Sequence, residues 1–148
     1  MKSIILSSKL IIDKYGKVNF LTDEDLLNYI NKLGLNILPL SIKKNQINSE
    51  NLRLAKGLIL SGGGDIYKYK KNKINKLRDS IEIKLFNYFS KKNLPILLIC
   101  RGFQLMIDMH KIKLFKQKNH VRKSHLLKLS NSKFLKHSKL SVNSYHNY

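Results

Sequence analysis

Pro95-Ile96-Leu97-Leu98-Ile99 carries no polar side chain, and it stops abruptly at Cys100-Arg101-Gly102. An uninterrupted apolar run this short suits a strand buried on both faces, which is the setting of a parallel sheet. A helical pattern resumes at once, with Phe103, Leu105, Met106, Ile107 and Met109. The rest of the chain alternates in the same way. Ile4-Ile5-Leu6 reads as a first buried strand. Thr22 reads as a helix N-cap, with Asp25 as a weak capping box and Asp23 and Glu24 favouring the helix's positive end. Leu26, Leu27, Ile30 and Leu33 form one apolar face, and Gly34 stops that helix. Leu35 to Leu40 and Gly57-Leu58-Ile59-Leu60 are further strands. A helix from about Ile74 to Phe89 puts Ile74, Leu77, Ile81, Leu85 and Tyr88 on one face with charges opposite. Strand, helix, strand, strand, helix, strand, helix is the order of an α/β layer with a parallel sheet. Beyond residue 111 the pattern weakens, with Leu126–Leu129 and Leu140–Val142 as short strands near the sheet's edge.

Length and composition bound the alternatives. The 148 residues suit one domain, and 43% hydrophobic content is enough for a packed core. No apolar run approaches the roughly 20 residues of a membrane-spanning helix. The amino terminus resembles a signal peptide only superficially, because Lys9 breaks the apolar run. A single cysteine excludes an internal disulfide framework and a multi-cysteine zinc site. The expectation is a cytoplasmic protein with no membrane association.

The formal net charge of +20 is extreme and lopsided. No Asp or Glu follows Asp108, whereas Lys111, Lys113, Lys116, Lys118, Arg122, Lys123, Lys128, Lys133, Lys136 and Lys139 do. A second cluster, Lys68, Lys70, Lys71, Lys73 and Lys76, is interleaved with Tyr67 and Tyr69. Such surfaces release counterions from phosphates, and aromatics stack on bases. Arginine, which is suited to bidentate phosphate and guanine contacts, occurs only four times. A lysine-biased solvated surface with weak, non-specific polyanion binding is therefore the expectation. The competing functional class is a non-enzymatic basic protein that binds nucleic acid or a partner subunit.

Sites in open parallel sheets lie at the carboxyl ends of strands, and two such ends here carry unusual sequence. Ser61-Gly62-Gly63-Gly64-Asp65 frees the backbone for positive φ and exposes N–H groups as anion donors. It lacks the spacing of a nucleotide fingerprint, and a plain tight turn is the equal alternative. Ile99-Cys100-Arg101-Gly102 places a nucleophile between a buried strand and a helix, with a glycine two residues later, as in the second half of a nucleophile elbow. The helix dipole favours a thiolate there, and the Arg101 N–H can face a developing oxyanion. The alternative is a buried, inert cysteine.

Three segments together, Gly57 to Asp65, Pro95 to Gln104, and Val142-Asn143-Ser144-Tyr145-His146-Asn147, resemble a class I glutamine amidotransferase. They are most similar to the gamma-glutamyl-gamma-aminobutyrate hydrolase-like (peptidase C26) branch, and Tyr15 to Leu40 fits that branch too. The resemblance implies a flavodoxin-like three-layer α/β domain over residues 1–148. It implies hydrolysis of a γ-glutamyl amide, or glutamine amidotransfer, through a cysteine thioester. Cys100 resembles the nucleophile, and the backbone N–H groups of Gly63 and Arg101 resemble the oxyanion hole. Gly62, Gly64, Gln104 and His146 resemble substrate-side residues. The implied ligand is a small glutamine-like γ-glutamyl compound, with a partner synthetase subunit as a further expectation. No metal or organic cofactor is implied.

The pattern departs from the family in one large respect. The family's base is a histidine followed two residues later by an orienting glutamate near the domain's carboxyl end. Here Glu24, Glu50 and Glu82 all precede Cys100, and Asp108 precedes every histidine. Losing the base of such a unit removes about 10⁶ in turnover in a comparable hydrolase. The expectation is a member with its carboxyl-terminal part missing, an impaired catalytic apparatus and some uncovered apolar surface. Leu98 stands where the family has a small residue, and His110-Lys111 stands where it has a Gly-Gly pair. His120, His125 and His137 lack the acidic or cysteine co-ligands a zinc site favours, and no metal site is expected.

Overall fold

The computed structural model describes residues 2–40, 42–43, 46–47, 49–117, 119–128 and 139–146. Leu129, His137 and Asn147, each singled out in the sequence, lie outside them. The chain forms two compact units, residues 1–111 and 112–148.

In the first unit, β1 (Lys2–Ser7) is followed by a hairpin of β2 (Lys9–Ile12) and β3 (Val18–Leu21), then α1 (Glu24–Lys32) and β4 (Leu35–Leu38). A small pair, β5 (Ile42–Lys43) and β6 (Gln46–Ile47), leads into α2 (Ser49–Leu54). Then come β7 (Leu58–Leu60), α3 (Lys73–Lys91), β8 (Ile96–Leu98) and α4 (Arg101–Met109). The main sheet has the order β4-β1-β7-β8, and every pair in it is parallel. Counting only its own strands, that order is 2-1-3-4, the flavodoxin-like arrangement whose switch point lies between the first and third strands. The α/β flavodoxin-like class expected from the sequence is the class observed.

The period of two in a strand splits the core between the two faces. Ile5, Leu58 and Leu60 point to one face and pack with Ala55, Ile81, Leu85 and Phe89. Ile4, Leu6 and Ile59 point to the other and pack with Ile30 of α1. Each β7 residue is therefore buried, at 2%, 6% and 1% exposure. The strand buried on both faces is β7, not β8 as the apolar run suggests. β8 lies at the sheet edge; Ile96 and Leu98 pack on the α3 side, and Leu97 is 49% exposed.

Two further readings are corrected in detail. The N-cap of α1 is Asp23, whose carboxylate accepts from the Leu26 N–H at 3.3 Å. Thr22 is one residue too early, and its hydroxyl instead meets that of Ser8. In α3 the buried face holds charge as well as apolar groups, because Arg78 and Glu82 lie in the stripe with Ile81, Leu85 and Phe89.

The second unit contains β9 (Lys123–Lys128) and β10 (Lys139–Ser144), an antiparallel pair in register from Lys123↔Ser144 to Lys128↔Lys139. These strands pair with each other and do not extend the main sheet. No helix among the described residues is long and apolar enough to cross a membrane.

Candidate active site

Cys100 is exposed at the point where β8 gives way to α4. It occupies the N-cap position with φ 48° and ψ −102°. That conformation costs a non-glycine residue about 1–3 kcal/mol and must be held by its surroundings. The holding contacts are local. The Gly102 N–H donates to Ile99 O at 2.9 Å, and the Gln104 N–H donates to Cys100 O at 3.0 Å. Gly102 presses against the β7 backbone, where a Cβ would stand 2.6 Å from Leu60 O and 2.7 Å from Leu60 Cβ. The glycine two residues after the cysteine is thus a packing requirement of the turn. Arg101 opens α4, and the N–H groups of a helix's first turn have no partner within the helix.

The glycine turn after β7 lies beside this elbow. A Cβ on Gly62 would sit 3.4 Å from Cys100 Cβ. Gly63 and Gly64 have φ +85° and +79°, the region glycine enters freely. Gly63 rests on the aliphatic part of Lys9, whereas Gly64 faces open space. A cavity of about 640 Å³ opens at this end of the sheet, walled by Lys9, Leu21, Asp23, Glu24, Leu26, Gly62, Gly63 and Ile99. It lies at the strands' carboxyl ends, where open α/β sheets bind ligands.

Beneath the elbow is a buried ionic cluster that sequence reasoning missed. Glu82 Oε1 accepts from Ser7 Oγ at 2.7 Å and from Arg78 Nε at 2.8 Å. Its Oε2 accepts from Arg101 Nη1, and Arg101 Nη2 pairs with Asp79 Oδ1. Asp79 Oδ2 also accepts from the Tyr67 N–H at 2.8 Å, and Arg101 Nε reaches Asp65 O at 3.3 Å. The Arg101 and Glu82 side chains are fully buried. Two guanidinium and two carboxylate groups balance in charge, which burial requires. Burial still leaves its mark. It lowers the Arg78 pKa despite Glu82, and it raises that of Asp79 against the Tyr67 amide and Arg101. The sequence did hold a signal for this cluster. Ile74, Arg78, Ile81, Leu85 and Phe89 fall at helical spacing on one face, so Arg78 sits inside the apolar stripe.

Among the site residues expected from the sequence, Gly62, Gly63, Gly64, Cys100, Arg101 and Gln104 all belong to the first unit. The structure brings Gly62 against Cys100 and places Gln104 on the first turn of α4. His146 belongs to the second unit, following β10. There its ring lies 4.9 Å from that of His120, edge to face, and His120 lies 5.0 Å from His125. Among the described residues, no group of three or more His, Cys, Asp or Glu side chains is arranged to hold a metal ion.

Residues 17–148 match the family model described as Peptidase C26. The "Gamma-glutamyl-CDP-amidate hydrolase" of Campylobacter jejuni is 32% identical over 113 residues, covering 76% of this chain and 53% of that protein. The "Putative glutamine amidotransferase-like protein YvdE" of Lactococcus lactis is 27% identical over 100 residues, covering 62% of this chain and 42% of that one. The chain thus spans about half the length of the curated relatives it matches.

Proposed function

The chain belongs to the peptidase C26 family, and from that premise we propose that it attacks small γ-glutamyl amides through Cys100. The observation that carries this reading is the elbow itself. An exposed cysteine is held at positive φ at the head of α4, with Gly62 packed against it. In the proposed reaction the Cys100 thiolate adds to the γ-carbonyl carbon. The resulting oxyanion is met by the backbone N–H groups of Gly63 and Arg101. The tetrahedral intermediate then collapses with loss of the amine, which takes up a proton, and leaves a γ-glutamyl thioester on Cys100. Water cleaves the thioester and releases glutamate. Gly62 and Gly64 line the approach of the substrate, and Gln104 and His146 serve on the substrate side.

The resemblance to relatives named "Gamma-glutamyl-CDP-amidate hydrolase" and "Putative glutamine amidotransferase-like protein YvdE" supports this class of reaction. Within these 148 residues no glutamate follows Cys100, so they contain no Cys…His…Glu series. For this chain acting alone, acylation should therefore outrun deacylation. A thiol without a base is only a few per cent thiolate at neutral pH, and the thioester awaits unassisted water. The test is labelling by a γ-glutamyl diazoketone, followed by peptide mapping. The reading requires slow, stoichiometric modification of Cys100, blocked by excess glutamine and absent in Cys100→Ala. Modification spread over lysines, or unaffected by glutamine, would contradict it.

A further inference from the structure

The hydrogen bonds of Arg78 fix the direction in which the glycine turn's amides point. Its Nη2 donates to the carbonyl oxygens of Ser61 at 2.9 Å and Gly62 at 3.1 Å, and its Nη1 donates to Gly63 O at 2.6 Å. In a planar trans peptide, the C=O of one residue and the N–H of the next point in opposite directions. Three successive carbonyls drawn to one guanidinium therefore turn the N–H groups of Gly62, Gly63 and Gly64 away from it. The rigid planar fork presents its two terminal nitrogens to all three carbonyls in one fixed geometry, which the single rotatable ammonium of a lysine would not reproduce.

The same cluster reaches the elbow. Glu82 accepts from Arg78 through one oxygen and from Arg101 through the other. Arg101 is the residue that opens α4 directly after Cys100. One carboxylate therefore joins the guanidinium that orients the glycine turn to the residue that heads the catalytic helix. A cluster of three buried charges and a partly buried fourth is a poor source of stability compared with apolar packing, so orientation is the better account of it. Resting on the thioester reading above, we infer that Arg78 and Glu82 are positioning residues of the oxyanion hole. Arg78 aims the Gly63 N–H, and Glu82 sets that N–H in register with the Arg101 N–H. Both side chains are buried, and neither lines the cavity of about 640 Å³ at the strands' carboxyl ends.

Arg78→Lys tests this, since lysine keeps the charge beside Glu82 but loses the fork. Two readouts are combined. In [15N]glycine-labelled protein, the amide resonances of Gly62, Gly63 and Gly64 should move, while those of Gly16 and Gly34 stay in place. Acylation of Cys100 by a γ-glutamyl p-nitroanilide should fall about 10²–10³-fold, the loss expected for an oxyanion donor. Alkylation by iodoacetamide, which displaces iodide from saturated carbon and builds no oxyanion, should not fall. Unmoved glycine resonances would overturn the inference, and so would acylation and alkylation falling together. If wild-type protein is alkylated but never acylated, the thioester reading fails, while the glycine resonances still decide whether Arg78 orients the turn. Should Arg78→Lys not fold, Glu82→Gln keeps the side chain's shape, uncouples the two guanidinium groups and is judged by the same readouts.

Discussion

Gly102 has no room for any other side chain, because its α-hydrogen side faces the Leu60 carbonyl across a gap smaller than a Cβ needs. Gly102→Ala should destabilise the protein by about 1–3 kcal/mol, the range for forcing a methyl into a packed site. A lowered urea midpoint would show this, and an unchanged midpoint would contradict it. Cys100→Ala makes the complementary case. It should abolish γ-glutamyl labelling while leaving the urea midpoint nearly unchanged, because alanine keeps the Cβ at the same φ of 48° and the thiol it loses is exposed. Labelling that survives in that variant would show another nucleophile. The cysteine and its glycine were legible in the sequence because the elbow depends on contiguous residues. The ionic cluster was not. Arg78 and Glu82 are four apart, and such pairs on a helix usually read as a solvated face. Only their place among Ile74, Ile81, Leu85 and Phe89 sets them apart.

At the scale of elements, the β2–β3 hairpin shows how a small turn can go unread. Its loop, Asp13-Lys14-Tyr15-Gly16-Lys17, is organised by one carboxylate. Asp13 Oδ1 accepts from the Tyr15 and Lys17 N–H groups, each at 2.9 Å, and Oδ2 accepts from Asn19 at 3.2 Å. Gly16 supplies the positive φ of +79° that closes the loop. The Lys17 amide, more than any other group, holds the Asp13 carboxyl below its ordinary pKa of 3.8, with Asn19 and Tyr15 helping and burial opposing. A lowered carboxyl pKa means that the support is complete above 3.8 and is lost as pH falls through the folded-state value. The protection of hairpin amides such as those of Ile11 and Asn19, taken relative to their intrinsic exchange rates, should therefore fall as the solution is acidified below 3.8. In Asp13→Ala they should exchange fast already at neutral pH. Amides indifferent to both changes would contradict this role. The parallel strands, in contrast, were legible because continuous apolar runs have few other homes. Their rank in the sheet was not: β7 and β8 are equally apolar in sequence, and only pairing decides that β7 is central and β8 is the edge.

For the molecule as a whole, the net charge of +20 dominates behaviour in solution more than it specifies a site. Lysine point charges prevail over arginine forks, and Lys68 and Lys76 already lie over the rings of Tyr69 and Tyr67. Oligonucleotides should bind weakly, with no sequence preference, and be released as salt rises towards about 200 mM. A tight complex that survives that salt with clear sequence discrimination would instead support a nucleic-acid function. The fold class was readable because it follows from the order of strands and helices. The weakening of the pattern beyond residue 111 was also readable, but not that the lysine-rich stretch forms a unit of its own, because it offers little periodicity. Whether Cys100 attacks the γ-carbonyl, as proposed, is decided by acid-quenched intact-mass analysis of the 148-residue chain mixed with a γ-glutamyl p-nitroanilide. The protein should gain the mass of one γ-glutamyl group. That gain should map to Cys100, be removed by hydroxylamine as a thioester is, and match the p-nitroaniline released. An unmodified Cys100 at the moment p-nitroaniline appears, or release that persists in Cys100→Ala, would contradict it.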